Sequence, residues 1–327
     1  MMRQSNFELL RILCMLGILT GHVLLELYQD QIHSTDFSVV NQIRVFMLNA
    51  CSVGMNCLVM ISGFWSIHLS KVKILTYVGQ CWWYAVWGML LFGGSCLTMI
   101  FPITESGLWF VVAYLALMLI CPLLNAGLAS MPGKTLRKVV IGLFVCDVYM
   151  GYMHQCLETS ADGYNLFHLV CMYCLGHLIA REDWKLERSG LWCVGCFVMM
   201  TALHAIKMVW FPISVIYSLH HNAPIMIVAS LLVFMWAKGL KIQSRFINWI
   251  AASVFSVYLI HCNTAISPHF MGMLVTVKDY SGSPILTMLA LSFVILGFFV
   301  GCILVDKVRI SIFTWIASQL SKKAMTL

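Results

Sequence analysis

The sequence predicts an all-α fold: a polytopic integral membrane helical bundle with about ten transmembrane helices and both termini cytoplasmic. Three observations carry that prediction. First, 61% of the 327 residues are hydrophobic and only 10% are charged, and mean hydropathy is +0.89; soluble domains carry about 25% charged residues. Second, apolar runs near the roughly 20 residues that a spanning helix needs recur almost to the C-terminus. Third, the basic residues sort by side once those runs are threaded through a bilayer. No polar stretch is long enough to form a separate soluble domain. The chain therefore divides into a membrane domain, 1–305, and a short tail, 306–327.

In order, the spans fall near 7–28, 45–67, 74–98, 107–126, 138–154, 164–180, 189–208, 220–238, 248–266 and 284–305. With the N-terminus inside and one crossing per span, the cytoplasmic group contains Arg3 and Arg11, then Lys71 and Lys73, and Lys134, Arg137 and Lys138. It continues with Arg181, Lys185 and Arg188, then Lys238, Lys241 and Arg245, and ends with Lys307, Arg309, Lys322 and Lys323. That is 17 of the 20 basic residues, leaving Arg44, Lys207 and Lys278 outside. Positive residues favour the cytoplasmic side, so this asymmetry sets the orientation. It also accounts for the net charge of +7 with membrane lipid as the neighbour and no nucleic acid partner.

The first span, FELLRILCMLGILTGHVLLELY (7–28), has the spanning length but carries Glu8, Arg11, His22 and Glu26. Arg3 ahead of an apolar run mimics a signal peptide. Glu8 and Arg11 interrupt that run and no small-residue cleavage pattern follows, which predicts an uncleaved helix. A charge near the bilayer centre costs roughly 2.5–3.5 kcal/mol, so an embedded one faces protein or a wet cavity. Arg11 and His22 are eleven residues apart, which is three turns and about 20° of rotation, or about 16 Å along the axis. Both therefore project from one face. In the third span, Gly93-Gly94 marks a possible break. After Val305 the apolar residues Val308, Ile310, Ile312, Phe313, Trp315, Ile316 and Leu320 mix with Lys307, Arg309, Lys322 and Lys323, a pattern that predicts an interfacial amphipathic helix.

The 14 cysteines include Cys171-x2-Cys174 and Cys193-x2-Cys196, whose separation fits a zinc spacing. Both pairs lie inside apolar segments and not in turns, and free cysteine packs as a small hydrophobe. Helix packing is the reading, with no metal and no disulfide framework.

Six segments in order resemble the acyltransferase family 3 proteins. NFELLRILCMLGILTGH (6–22) has the acidic-Leu-x-Arg start with a histidine eleven residues beyond the arginine. VGMNCLVMISGFW (53–65) is similar to the second helix with its Ser-Gly-Phe/Tyr ending, and FPITESGLWFVVAYLALMLICPLLN (101–125) to the Trp-Phe…Tyr-Leu…Pro-Leu-Leu-Asn helix. GYNLFHLVCMYCLGHLIARE (163–182), HNAPIMIVASLLVFMWAKGLKI (221–242) and FINWIAASVFSVYLIHCN (246–263) complete the series. The resemblance implies a multi-pass enzyme of a bacterial cytoplasmic membrane that moves an acyl group, usually acetyl, from acetyl-CoA to hydroxyls of surface glycans. Acyl-CoA is then a co-substrate, with no bound cofactor, and the acceptor is a carbohydrate or lipid-linked glycan. One departure stands out. Where family members carry an Arg-x-x-Arg pair, this chain has HLSKVK (68–73), with Lys71 and Lys73, which lack the bidentate fork of arginine.

Acyl transfer from a thioester to an alcohol needs a base for the hydroxyl proton and donors for the developing oxyanion. An imidazole titrating near pH 6.5 suits that task, and His22 is the candidate base, with Arg11 as its catalytic companion toward the donor. Against this stands a plain packing histidine. Ser62, Lys71, Lys73, Trp109 and Tyr114 are the candidates for the acyl-donor site. Ser62 reads equally as a helix-end serine, and Trp109 and Tyr114 as interfacial aromatics. Asn222 and His261 are the candidates for the acceptor site, with helix capping the alternative for Asn222. Asp147, mid-span, needs an ion-pair partner, either Arg11 or a histidine. Glu26, one turn beyond His22, either orients its ring or is solvated. Two other classes stay open on the sequence: a proton-coupled transporter, for which no internal repeat is seen, and a catalytically inactive component of glycan assembly.

Overall fold

The computed structural model describes residues 4–93, 108–153, 162–210, 219–280 and 282–324, with side chains through 319. The outer end of the third expected span, with Gly94, and residues 101–107 lie outside the described residues. Those described form helices and no strand. In order they are α1 (Ser5–Ile32), α2 (Val39–Ser52), α3 (Gly54–Phe64), α4 (Lys71–Phe92), α5 (Trp109–Ser130) and α6 (Gly133–Cys146). A π-helical turn, Asp147–Met153, continues α6. There follow α7 (Leu166–Glu182), α8 (Ser189–Val209), α9 (Pro224–Gly239), α10 (Arg245–Ala251), α11 (Val254–His261), α12 (Ser267–Tyr280) and α13 (Pro284–Ala324).

Five runs among the described residues are long and apolar enough to cross a membrane: Ser5–Ile32, Val39–Phe64, Trp109–Ser130, Ser189–Val209 and Pro284–Gln319. Together with the apolar composition they make this a multi-pass membrane protein. Several expected spans are built from two pieces. The second is α2 plus α3, joined at Val53, the fifth is α6 plus the π turn, and the ninth is α10 plus α11. Helix α12 is an element the hydropathy pattern does not single out. The last helix continues without a break through Ala324.

Helix α1 is the spine. It packs against α2, α3, α9, α10 and α11 and touches α12 and α13. Its first turns, through Phe7, Leu10 and Cys14, belong to a core shared with α3, α5, α6, α7, α8 and α9. Its later turns, from Met15 through Leu19, Val23 and Leu27 to Ile32, belong to a second core built with α4, α11, α12 and α13. Polar stitches fix its start. Asn6 Nδ2 donates to the Ala237 carbonyl at 3.1 Å, at the end of α9, and the Ser244 N–H donates to Ser5 Oγ at 2.9 Å. These satisfy helix-end groups that would otherwise lack partners.

The two ends of the bundle carry different cations. Near the end of α1, Arg44 lies 3.9 Å and Lys278 5.0 Å from the Tyr28 ring centre, and α8 is tied to the Ile32 carbonyl by His204 at 2.8 Å. These are the segments of the three basic residues expected on the outer side. At the opposite end, Lys307 of α13 bonds the Trp249 carbonyl of α10, beside the stitches that hold Ser5. Residues Ser5 and Lys307 thus sit at the same end.

Helices α3 and α7 touch backbone to backbone. A Cβ on Gly63 would collide with the Tyr173 carbonyl, and one on Gly176 with the Met60 carbonyl. Small residues permit this close crossing in a membrane, where packing and not hydrophobicity joins helices. Because α3 carries Ser62 and Asn56, the crossing also sets the position of polar groups described below. Gly176→Val is expected to lower stability by about 1–3 kcal/mol through overpacking, read as a lower melting temperature of the detergent-solubilised protein. Gly142→Val, where a Cβ meets open space, is the control and should leave it nearly unchanged.

Candidate active site

A cavity of about 380 Å³ runs along one face of α1, lined by Arg11, Met15, Ile18, His22 and Leu25 of that helix. The volume lies within the range of ligand pockets, roughly 300–1,000 Å³. The eleven-residue spacing of Arg11 and His22 on a continuous helix is what places both in one wall. Between them the lining is aromatic: Tyr77 of α4, Phe110 and Tyr114 of α5, and Phe255 and Tyr258 from α11. Tyr77 stacks on Phe255 at 5.0 Å and Phe110 on Tyr114 at 5.5 Å. Trp109, Tyr164, Leu219 and His221 also line it, with Trp109 edge-on to Tyr164 at 4.9 Å and Tyr164 edge-on to His221 at 4.8 Å. The result is a long apolar sleeve holding a guanidinium and two imidazoles.

Arg11 Nη1 is 3.0 Å from Glu8 Oε1, one turn earlier, with Glu8 buried and Arg11 partly exposed. The guanidinium has five N–H donors, and this bond uses one of them. His22 exposes its ring in the cavity wall, and its Nδ1 lies 3.0 Å from His261 Nε2. His261 Nδ1 bonds the Val257 carbonyl at 2.6 Å, one turn back on α11. Cys262 Sγ is 3.3 Å from His261 Nε2 and 3.9 Å from His22 Nδ1. Ser62 Oγ donates to the Leu58 carbonyl at 3.1 Å, so the Tyr114 hydroxyl 2.9 Å away must donate to Ser62.

Of the residues singled out in the sequence, the cavity gathers Arg11, His22, Ser62, Trp109 and Tyr114. Lys71 and Lys73 do not reach it. They are exposed at the start of α4, and Lys73 Nζ bonds the His68 carbonyl at 3.0 Å. His261 is buried behind His22 and is not in the cavity wall. Asn222 is fully buried and does not cap α9, whose N-cap is Ala223. Glu26 is exposed, and the group bonded to His22 is His261. The cavity also includes residues that the sequence pattern did not mark: Tyr77, Tyr164, His221 and Tyr258. Tyr164, His221 and Tyr258 lie within the family-like segments 163–182, 221–242 and 246–263, where nothing set them apart, and Tyr77 lies in none of the six.

A separate polar cluster lies beyond the cavity. Asp147 Oδ2 is 2.7 Å from His168 Nδ1, both wholly buried. His168 Nε2 is 2.9 Å from Asn56 Oδ1, and Asn56 Nδ2 donates to the His221 carbonyl at 3.0 Å and to Ser230 Oγ at 3.2 Å. The partner that Asp147 required is therefore a histidine and not Arg11. The chain of bonds joins the π turn, α7, α3 and the segment before α9, and so fixes His221 in the cavity wall. A second buried pair, Arg309 Nε to Asp306 Oδ1 at 2.6 Å, is joined by Tyr84 at 2.7 Å and Gln80 at 3.3 Å. The four clustered-spacing cysteines are split between α7 and α8, and every described cysteine is a free thiol.

A family model described as an acyltransferase domain, of the acyltransferase 3 type, matches residues 4–307. No curated protein and no solved structure matches the chain.

Breaking a buried pair by removing one partner costs about 3–5 kcal/mol. Asp147→Leu is expected to destabilise the protein on that scale, and Asp147→Leu with His168→Leu to cost less than the single change. Thermal unfolding of the three proteins in one detergent checks the order.

Proposed function

Because this chain belongs to acyltransferase family 3 and is a multi-pass membrane protein, we propose that it moves an acetyl group from cytoplasmic acetyl-CoA to a hydroxyl of a surface glycan or lipid-linked sugar. The observation that carries the reading is a cavity along α1 lined by both Arg11 and His22. In this reading about ten spans cross a bacterial inner membrane with both termini inside. The start of α1 then faces the cytoplasm and the His22 level lies beyond mid-membrane.

The donor enters from the Arg11 end. Its phosphates meet the guanidinium, which Glu8 orients at 3.0 Å, while Lys71 and Lys73 contribute attraction from the same side without closing on the ligand. The acyl-pantetheine arm runs through the aromatic sleeve past Tyr77, Tyr114 and Phe255, where water is scarce and the thioester is shielded from hydrolysis. Ser62 and Tyr114 offer polar contacts to the arm's amides. The acceptor approaches from the opposite end, beside His221 and Tyr164. His22 takes the acceptor hydroxyl proton as the oxygen bonds to the thioester carbonyl carbon. The carbon–sulfur bond then breaks, and the leaving sulfur recovers that proton from His22 as free CoA thiol.

Positioned general bases contribute about 10²–10⁴-fold to rate. His22→Ala is expected to lower kcat by that factor with the KM for acetyl-CoA little changed, measured as labelled acetyl transferred from acetyl-CoA to membrane glycan. Equal labelling by both proteins would remove His22 from the chemistry. Uptake of a solute without acetyl transfer by the unmodified protein would instead favour a transporter. Arg11→Ala is expected to raise the KM for acetyl-CoA about tenfold or more, and Arg11→Lys to restore only part, since lysine loses the planar fork. The same kinetics at varied acetyl-CoA check this.

A further inference from the structure

The hydrogen bonds around His22 determine which of its two nitrogens holds the lone pair. The Val257 carbonyl can only accept, so His261 Nδ1, 2.6 Å from it, carries a proton. A neutral imidazole has one N–H, which leaves His261 Nε2 as an acceptor. His22 Nδ1 lies 3.0 Å from that acceptor and must be the donor. With no carboxylate paired to either ring among the described residues, one proton per ring satisfies both bonds. His22 Nε2 is then the basic atom, and no described residue hydrogen-bonds to it. His22 is in the cavity wall and His261 is not. The Cys262 thiol, 3.3 Å from His261 Nε2, is a weaker donor than an N–H and competes poorly for that lone pair.

We propose that His261 is a positioning residue that holds His22 in its Nδ1–H tautomer and leaves His22 Nε2 as the base facing the acceptor. The inference rests on His22 acting in the transfer proposed above. During the reaction the acceptor proton moves to His22 Nε2, while the Nδ1–H stays on His261 Nε2. The imidazolium that forms is held by a fixed neutral acceptor, itself anchored to the α11 backbone through Val257. The arrangement does for His22 what a hydrogen-bonded second group does for ring nitrogens generally: it selects the tautomer and the orientation. The anchor is a helix main chain, so the orientation is set before any substrate arrives.

Two readouts test it. In full-length protein labelled with ¹⁵N-histidine, long-range ¹H–¹⁵N spectra separate the two tautomers, and the His22 signals are those lost in His22→Gln. The proposal expects the Nδ1–H pattern at His22 in the unmodified protein and its loss in His261→Phe. An Nε2–H pattern at His22 in the unmodified protein would overturn it. In acetyl transfer, His261→Phe is expected to lower kcat about 100-fold or more at unchanged KM for acetyl-CoA. His261→Gln, whose side-chain oxygen can accept from His22, should recover to within about tenfold of the unmodified protein. Cys262→Ala should match the unmodified protein. Equal losses in the Phe and Gln variants would show that a hydrogen-bond acceptor at this position does not support His22, and full activity in His261→Phe would show that His22 needs no partner. Either result would overturn the assignment. An unmodified protein with the Nδ1–H pattern but no acetyl transfer would instead refute the acyltransferase chemistry and leave the tautomer assignment standing.

Discussion

Polar groups inside a membrane have no water to turn to, so each must find a protein partner or a wetted cavity. That constraint organises this molecule. Helix α1 carries a carboxylate, a guanidinium and an imidazole along a length that otherwise reads as a spanning segment. The carboxylate is buried against the guanidinium, and the guanidinium and imidazole open into one cavity. The two cores divide along α1, with its early turns in one and its later turns in the other. The cavity follows the same helix, and Arg11 and His22, which would destabilise a lipid-facing helix, line it.

The remaining buried charges obey the same rule without joining the cavity. Asp147 is matched by His168 at 2.7 Å, and Asp306 by Arg309, Tyr84 and Gln80. Each network ties elements far apart in sequence: the π turn to α7 and α3, and α13 to α4. Buried pairs of this kind are poor sources of net stability; what they contribute here is a fixed relation between helices. The first network reaches the segment that carries His221 and so bears on the cavity wall. The α3–α7 crossing at Gly63 and Gly176 adds a steric constraint on the helix that holds Ser62 and Asn56.

Much of this was legible from residue spacing. The shared face of Arg11 and His22 follows from 3.6 residues per turn, and the helical class follows from composition. The need of Asp147 for a partner follows from its place in an apolar run. What spacing could not supply was pairing between distant helices. His261 belongs to a short motif, yet whether it lines the cavity or stands behind His22 depends on how α11 meets α1, a contact across 239 positions. Lys71 and Lys73 sit where a family motif would place cations, but the start of α4 leaves them in solvent. Arg309 looked like part of a charged tail because a linear pattern cannot show its pairing with Asp306, which Tyr84 and Gln80 of α4 also hold. The π turn at Asp147 and helix α12 left no periodic trace, since one is an irregularity of a few residues and the other has no long apolar run.

In the proposed reaction donor and acceptor meet in the cavity along α1, with the donor anchored at Arg11 and its acyl group delivered to His22. A structure determined with a non-transferable acyl-CoA analogue tests this most directly. The expected result is density for the phosphates beside Arg11, the pantetheine arm through the sleeve of Tyr77, Tyr114 and Phe255, and the acyl carbonyl carbon at the His22 ring. An analogue bound elsewhere, or one whose acyl group ends away from His22 with the cavity empty, would contradict it.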